Sequence, residues 1–523
     1  MKKRSVRISK INLFLVVTSG ILLFLSFPKF GIGVIAWVAL VPLLFALKDA
    51  GTKEGFILGF VTGIISNIGI IYWITYVVVH YGYLPYYLGV FIMLILAAYL
   101  SIYVALFASG LVYFTGKGIP GIITAPVLWT CLEYGKSHLF TGFPWENLAH
   151  SQFLHRTLIQ VVDVTGTFGV TFLIVLVNVI IFDALSSKFK GKRVWGEIAL
   201  GCGLILIVSG YGYFRTHQLE EADKTAEAMD VAIIQGNIDQ NIKWNPQFQY
   251  ETISAYKYLS LQKKSSRSGL TVWPETAAPF FFQDVSTRLH GEITTVTQIS
   301  GDWLLFGSPS YIRKCDGEED CVSYLNSAFL LSPQGKINGQ YNKVHLVPYG
   351  EFVPLRKLFP FINKLVVGVG DFRSGNGYYP LSMNNHKLGV LICYEGIFPE
   401  AGRTYKQMGA DLLVNITNDA WFGNTSAPYQ HLSMTVFRAV ESRVYVVRSA
   451  NTGISAIIDP TGRIVSKTEL FTRTALRDKI KFINHKTFYT TYGDIFIFIC
   501  MISLLCCVLI TLKRSTIYDH RNS

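Results

Sequence analysis

The chain has 523 residues, half of them hydrophobic, with a mean hydropathy of +0.36 and a formal charge of +13. Hydropathy of that order excludes an ordinary water-soluble enzyme of this length and points to a membrane protein. The positive charge would suit a nucleic-acid ligand, so the placement of the basic residues has to decide.

Met1 to Lys10 is a basic tail, and an apolar segment follows to about residue 27. A secretory signal peptide is the rival reading. Against it, Pro28-Lys29-Phe30 stands where a small-residue cleavage site would be, and further apolar segments come at once. About seven spans precede the polar region, near 11–27, 32–47, 55–78, 84–114, 119–135, 162–185 and 195–214, and an eighth lies near 491–512. Most approach the ~20 residues that cross a bilayer. The shorter ones are expected to tilt or to be partly re-entrant.

Orientation follows from the short loops. With the N-terminus inside, the inner segments carry Lys2, Lys3, Arg4, Arg7, Lys10, Lys48, Lys53, Lys117, Lys188, Lys190, Lys192, Arg193, Lys513, Arg514 and Arg521. The outer loops before the polar region carry Lys29, Lys136, Arg156 and Arg215. Fifteen against four is a strong bias, and an odd number of spans puts the polar region outside. Most of the positive charge is therefore topological, and no nucleic-acid partner is expected. The division is a membrane domain over 1–214, an external domain over 215–488, and a last span with its tail over 489–523.

The external domain reads as layered α/β. Val231 to Gln235 is a strand turned by Gly236-Asn237, and Pro246 to Lys264 has helical spacing. Strands are expected at Thr271-Val272-Trp273, Trp303 to Gly307, Asn326 to Leu331, Lys387 to Ile392 and Asp411 to Ile416. Pro428 to Arg443 reads as a helix. Val444 to Arg448 and Ile454 to Asp459 finish the sheet, with Pro460-Thr461-Gly462 as a turn between strands.

Three of these strand ends carry chemistry. Lys387 to Ile392 runs into Cys393-Tyr394-Glu395-Gly396, so the thiol stands at a tight turn. A helix starting just beyond would favour thiolate over thiol. A lone cysteine is more often packed as a small hydrophobe. Two other stretches change that balance: Trp273-Pro274-Glu275, and Tyr341-Asn342-Lys343 running on to Tyr349-Gly350-Glu351. A carboxylate to take the thiol proton and an ammonium beside the oxyanion suit nucleophilic acyl chemistry.

The remaining cysteines are expected to do other work. Cys131, Cys202, Cys500, Cys506 and Cys507 lie in apolar spans, where inert packing is expected. Cys315 and Cys321 bracket an acidic loop that a disulfide could close in an oxidising compartment. No cysteine–histidine spacing suggests a metal, and no phosphate-binding glycine loop is present, so neither metal nor cofactor is expected. His345 is expected to pack or support rather than to act as the base.

Glu275, Lys343 and Cys393 in their contexts resemble the Glu–Lys–Cys triad of the nitrilase, or carbon–nitrogen hydrolase, superfamily. Such a domain inserted outside the membrane between the last two of about eight spans resembles the bacterial apolipoprotein N-acyltransferase family over nearly the whole chain. The motifs are Gly142-Phe143-Pro144-Trp145, Gln235-Gly236-Asn237-Ile238, Lys243-Trp244, Trp273-Pro274-Glu275, Lys343 to Pro354, Cys393-Tyr394-Glu395 and Asn418 to Gly423. The resemblance implies a polytopic α-helical membrane domain joined to an αββα sandwich in the inner membrane, acting as a monomer. The sandwich would lie on the periplasmic side and both termini in the cytoplasm. It implies a phospholipid acyl donor and a diacylglyceryl apolipoprotein acceptor. Supporting roles would fall to Trp244, Glu351, Tyr394 and Glu395.

Glu351 could orient Lys343, or be a solvated carboxylate. Asn418, Trp421 and Phe422, with Tyr349, could line an acyl or headgroup path, though aromatics at strand ends are as often core. Two other functions stay open at this point. One is a membrane-anchored amidase, for which eight spans are excessive. The other is a transporter or receptor with a non-catalytic domain, against which stand the few midplane charges, mainly Glu133 and Asp183.

Overall fold

In a computed structural model the chain divides into two units, and residues 8–262, 269–313, 322–352, 372–483 and 485–522 are described. The expected Cys315–Cys321 bridge lies outside them. One unit gathers residues 1–75, 86–216 and 492–523; the other gathers 76–85 and 217–491.

The first unit is helical. Among the described residues five helices are long and apolar enough to cross a membrane: Thr52–Ile71, Tyr86–Gly116, Thr167–Ser186, Lys192–Thr225 and Ile495–Arg514. Lys10–Leu25 and Gly33–Leu47 are apolar but shorter, and Gly121–His138 carries Pro126, Glu133 and Lys136. These helices coincide with the expected apolar segments, with two differences. The segment expected at 55–78 stops as a long helix at Ile71, and residues 76–85 belong to the other unit. That expected at 195–214 runs on to Thr225, because Thr216 to Lys224 is strongly helix-forming as well as polar. Ile95, Leu206, Ile207, Phe498, Ile502 and Leu505 are each more than half exposed. Helices apolar on their outer faces are stable only against hydrocarbon.

Small residues set the helix packing. Gly55, Gly59 and Gly63 lie on one face of Thr52–Ile71, and a Cβ at Gly59 would come 2.6 Å from Ala108 Cβ and from the Val104 carbonyl. Backbones that close gain dispersion contact that lipid cannot supply. Polar glue is buried too. Asn178 donates to Ala36 and accepts from the Leu40 amide, and Glu133 accepts from the Leu148 amide at 2.7 Å and Thr171 at 2.6 Å.

The second unit holds twelve strands among the described residues. In chain order they are β1 (Ala228–Gln235), β2 (Leu270–Val272), β3 (Trp303–Arg313), β4 (Val322–Leu331), β5 (Ile337–Asn342) and β6 (Leu381–Met383). Then come β7 (His386–Ile392), β8 (Leu412–Thr417), β9 (Tyr445–Ala450), β10 (Ala456–Ile458), β11 (Ile464–Lys467) and β12 (Thr474–Lys481). They form two six-stranded sheets, ordered β12-β1-β2-β3-β4-β5 and β11-β10-β9-β8-β7-β6.

Each sheet has a parallel centre, β1-β2-β3 and β7-β8-β9, with antiparallel flanks. Helices Pro246–Leu261 and Arg288–Ser300 cover the first sheet through Ile253, Tyr256, Ile293 and Val296. Helices Pro399–Gln407 and Ala427–Ser442 cover the second. Tyr405 of the former donates to the Val390 carbonyl at 2.7 Å. This is the expected αββα sandwich. β11 follows the expected turn at Pro460-Thr461-Gly462, and β12 is an addition to the expected strands: the chain returns to pair with β1 along its whole length.

Candidate active site

Parallel strands leave their carboxyl ends on one side, where loops are free to carry function. Cys393 follows β7, Asn418 follows β8, and Glu275 is the third residue after β2; Lys343 leaves β5. The sandwich brings them together.

Glu275 is 6% exposed. Its Oε1 accepts from Asn326 Nδ2 at 2.8 Å and its Oε2 from the Asn418 amide at 3.0 Å. The loop reaches this position because Gly307 of β3 has no side chain. A Cβ there would lie 2.4 Å from the Thr276 nitrogen.

Lys343 is 1% exposed, with Nζ 2.9 Å from Glu351 Oε2 and 3.6 Å from Glu275 Oε1. Burial alone would lower its pKa, but Glu351 first and Glu275 next outweigh it, holding Lys343 above the usual lysine range. Glu351 is itself fixed by Asn326 Nδ2 and the Val347 amide, both at 2.8 Å. It is an oriented partner of the lysine, not a solvated carboxylate.

Cys393 sits at φ +52°, in the left-handed region that non-glycine residues rarely occupy. A turn of five residues, Cys393–Ile397, follows it. No α-helix starts directly at Cys393 to favour a thiolate; the turn Cys393–Ile397 comes first. Burial, then the Glu275 charge, raises the thiol well above its ordinary pKa, and Lys343 only partly opposes them.

Glu395 ties the Cys393 turn to the lysine loop. Its Oε2 accepts from the Ile392 amide at 2.7 Å. Its Oε1 accepts from Tyr341 at 2.8 Å, the Val344 amide at 2.7 Å and the His345 amide at 3.1 Å. Burial pushes its carboxyl up to about 7 against those donors.

The other expected residues divide. Asn418 donates its amide to Glu275 and its side chain to Gln240 at 2.7 Å. Tyr394 is buried, its ring 5.7 Å from His345 and 5.0 Å from Phe398. His345 stacks on Phe398 with ring centres 3.7 Å apart, a packing role. Trp421 and Phe422 are half-buried. Tyr81, from residues 76–85, meets Trp421 edge-on at 4.8 Å and donates to the Ala420 carbonyl at 2.9 Å. Tyr349 is 37% exposed with φ +61°. Trp244 is half-buried at the end of the turn Gln240–Lys243, and no contact joins it to the triad among those described.

Its neighbour Lys243 is the residue that sequence reasoning passed over. It is 1% exposed and donates to the Glu275 carbonyl at 3.1 Å. Burial pulls its pKa down to about 8, opposed by Glu275 and Cys393. The only signal was its place in the Lys243-Trp244 motif. Among the described residues no group of three or more His, Cys, Asp or Glu is arranged to hold a metal.

A two-sheet sandwich with Glu, Lys and Cys at its strand ends, in a chain of membrane-length helices, defines a membrane-bound protein of the carbon–nitrogen hydrolase superfamily. Residues 230–481 match the carbon–nitrogen hydrolase family, and residues 19–180 match the apolipoprotein N-acyltransferase N-terminal domain. The chain belongs to the apolipoprotein N-acyltransferase family. It is 45% identical over 508 residues to an apolipoprotein N-acyltransferase of Geobacter metallireducens, covering 96% of each chain. It is 30% identical over 489 residues to another from Pasteurella multocida, covering 92% of each. Among solved structures, an amidase of Nesterenkonia AN1 from the nitrilase superfamily is 18% identical with a TM-score of 0.36. That match covers 48% of this chain and 90% of the amidase. The protein is an acyltransferase.

Proposed function

We propose that the protein moves an acyl chain from a membrane phospholipid to Cys393, and from there to the α-amine of a diacylglyceryl-cysteine at the N-terminus of an apolipoprotein. The carrying observation is the buried Lys343, ion-paired to both Glu351 and Glu275 beside a nucleophile in a left-handed turn. A thiol with a raised pKa needs a base at the moment of attack, and Glu275 is the carboxylate whose charge it feels most, ahead of Asp419.

In the first half-reaction Glu275 takes the Sγ proton and Sγ attacks the ester carbonyl of the phospholipid. Lys343 and the Tyr394 amide face the oxyanion. The C–O bond to glycerol breaks, and the proton on Glu275 goes to the leaving oxygen, releasing lysophospholipid. In the second, the acceptor amine attacks the thioester and gives its proton to Glu275. The C–S bond breaks and Sγ takes that proton back. The product is an amide, more stable than the thioester that made it.

One nucleophile serving two substrates in turn predicts ping-pong kinetics. Domain 215–488 is assigned to the periplasmic side of the inner membrane, with domain 1–214 and the span in 489–523 in the bilayer and both termini in the cytoplasm. The inner-loop lysines and arginines support that orientation. The test is initial-rate kinetics with labelled phospholipid and a diacylglyceryl-cysteine peptide. Parallel double-reciprocal lines are expected; lines that converge would reject the shared nucleophile.

A further inference from the structure

Behind Cys393 lies a buried polar cluster that the triad does not use. Two side chains address the Cys393 carbonyl: His431 Nε2 at 3.1 Å and Asn415 Nδ2 at 3.3 Å. A carbonyl only accepts, so His431 carries its hydrogen on Nε2. Nδ1 lies 3.1 Å from both Arg448 Nη2 and Asp419 Oδ1. The same Nη2 donates to Asp419 Oδ2 at 2.7 Å, and Arg448 Nη1 donates to Asn415 Oδ1. Thr417 donates to Asp419 Oδ1 at 3.0 Å.

Asn415, Asp419, His431 and Arg448 are each no more than 1% exposed. Burial first and Arg448 next lower the His431 pKa, opposed by Asp419 and the Cys393 carbonyl. Burial works against the Asp419 charge, but Arg448 and His431 hold its carboxyl down at about 2. Asn415 reaches the turn because residue 396 is glycine; a Cβ there would stand 3.1 Å from Asn415 Nδ2.

The Cys393 carbonyl and the Tyr394 N–H belong to one planar peptide. Holding the carbonyl fixes the direction of that N–H, and donors on the carbonyl polarise the peptide and strengthen the N–H as a donor. A residue at φ +52° keeps that conformation only when its surroundings over-determine it. We infer that His431 and Asn415, oriented by Arg448 and Asp419, are positioning residues that aim and polarise the Cys393–Tyr394 peptide toward the oxyanion. The inference rests on the acyl-transfer reading of Cys393.

Two reactions of the same thiol separate this role from general support of the turn. Acylation by phospholipid passes through an oxyanion, whereas alkylation by iodoacetamide is a displacement at a saturated carbon and does not. Both rates are measured on the full-length protein in lipid, at one pH, for the unaltered enzyme, His431→Leu and Asn415→Ala. Either variant decides if the other fails to fold. Removing an oxyanion donor costs about 10²–10³-fold; misaiming one is expected to slow acylation about 10–100-fold and to leave alkylation within about twofold. Equal losses in both rates, or none in acylation, would overturn the inference. If the unaltered enzyme takes no acyl group on Cys393, the acyl-transfer reading itself falls, an outcome distinct from acylation that the variants leave unchanged.

Discussion

Cys393 is buried, and burial and the Glu275 charge raise its pKa above that of an ordinary thiol. Its raised pKa has a direct consequence. Below that value the thiolate fraction grows about tenfold per pH unit. Iodoacetamide should therefore alkylate Cys393 more slowly than a free cysteine at pH 7, with a rate that still climbs at pH 9. A plateau below pH 8 would mean a thiolate at rest. Lys343 has the converse environment, with Glu351 and Glu275 holding its charge. Lys343→Arg should lose ~10²-fold or more in acylation, because a planar fork cannot take the place of a compact ammonium between two carboxylates. Single-turnover acylation checks it. The grouping of Glu275, Lys343 and Cys393 was legible because each stands near the end of a strand; Glu275 and Cys393 follow apolar runs, whereas Lys343 follows the polar strand β5. Lys243 and the His431–Arg448 cluster were not: Lys243 sits in a polar segment, and nothing in a helix such as Ala427–Ser442 tells which polar residues turn inward. The raised pKa of Cys393 was not legible either, since burial is a property of the fold and not of the motif.

At the scale of elements, apolar runs located β7, β8 and β9, which are buried on both faces. β12 has the composition of an edge strand, Thr474-Ala-Leu-Arg-Asp-Lys-Ile-Lys, with most residues half-exposed, so no apolar run announced it. The helices of the membrane unit were legible by hydropathy, but their packing was not. Gly55, Gly59 and Gly63 become meaningful only once Ala108 and Ser101 stand against them. Gly59→Leu should force the two helices apart and cost about 1–3 kcal/mol. Thermal unfolding in detergent should show a lower midpoint, whereas Gly51→Ala, with open space around its Cβ, should leave it nearly unchanged.

For the whole molecule, two halves that each match a different family description meet in one chain. Membrane-length helices beside a two-sheet unit suit the proposed reaction, in which the donor is a membrane phospholipid. The inside-positive loops predict a side. An impermeant thiol reagent applied to intact spheroplasts should label Tyr258→Cys above the background of the unaltered protein, and should not label Lys190→Cys. The reverse pattern would reject the orientation.

The central claim is that Cys393 carries the acyl chain between two substrates. Intact-protein mass spectrometry after incubation with a phospholipid of known acyl chains, without acceptor, tests it most directly. The account predicts a gain of one acyl mass, located on Cys393, released by hydroxylamine, and discharged when a diacylglyceryl-cysteine peptide is added. An enzyme that transfers the chain to the peptide while never gaining that mass, or that gains it equally as Cys393→Ala, would contradict it.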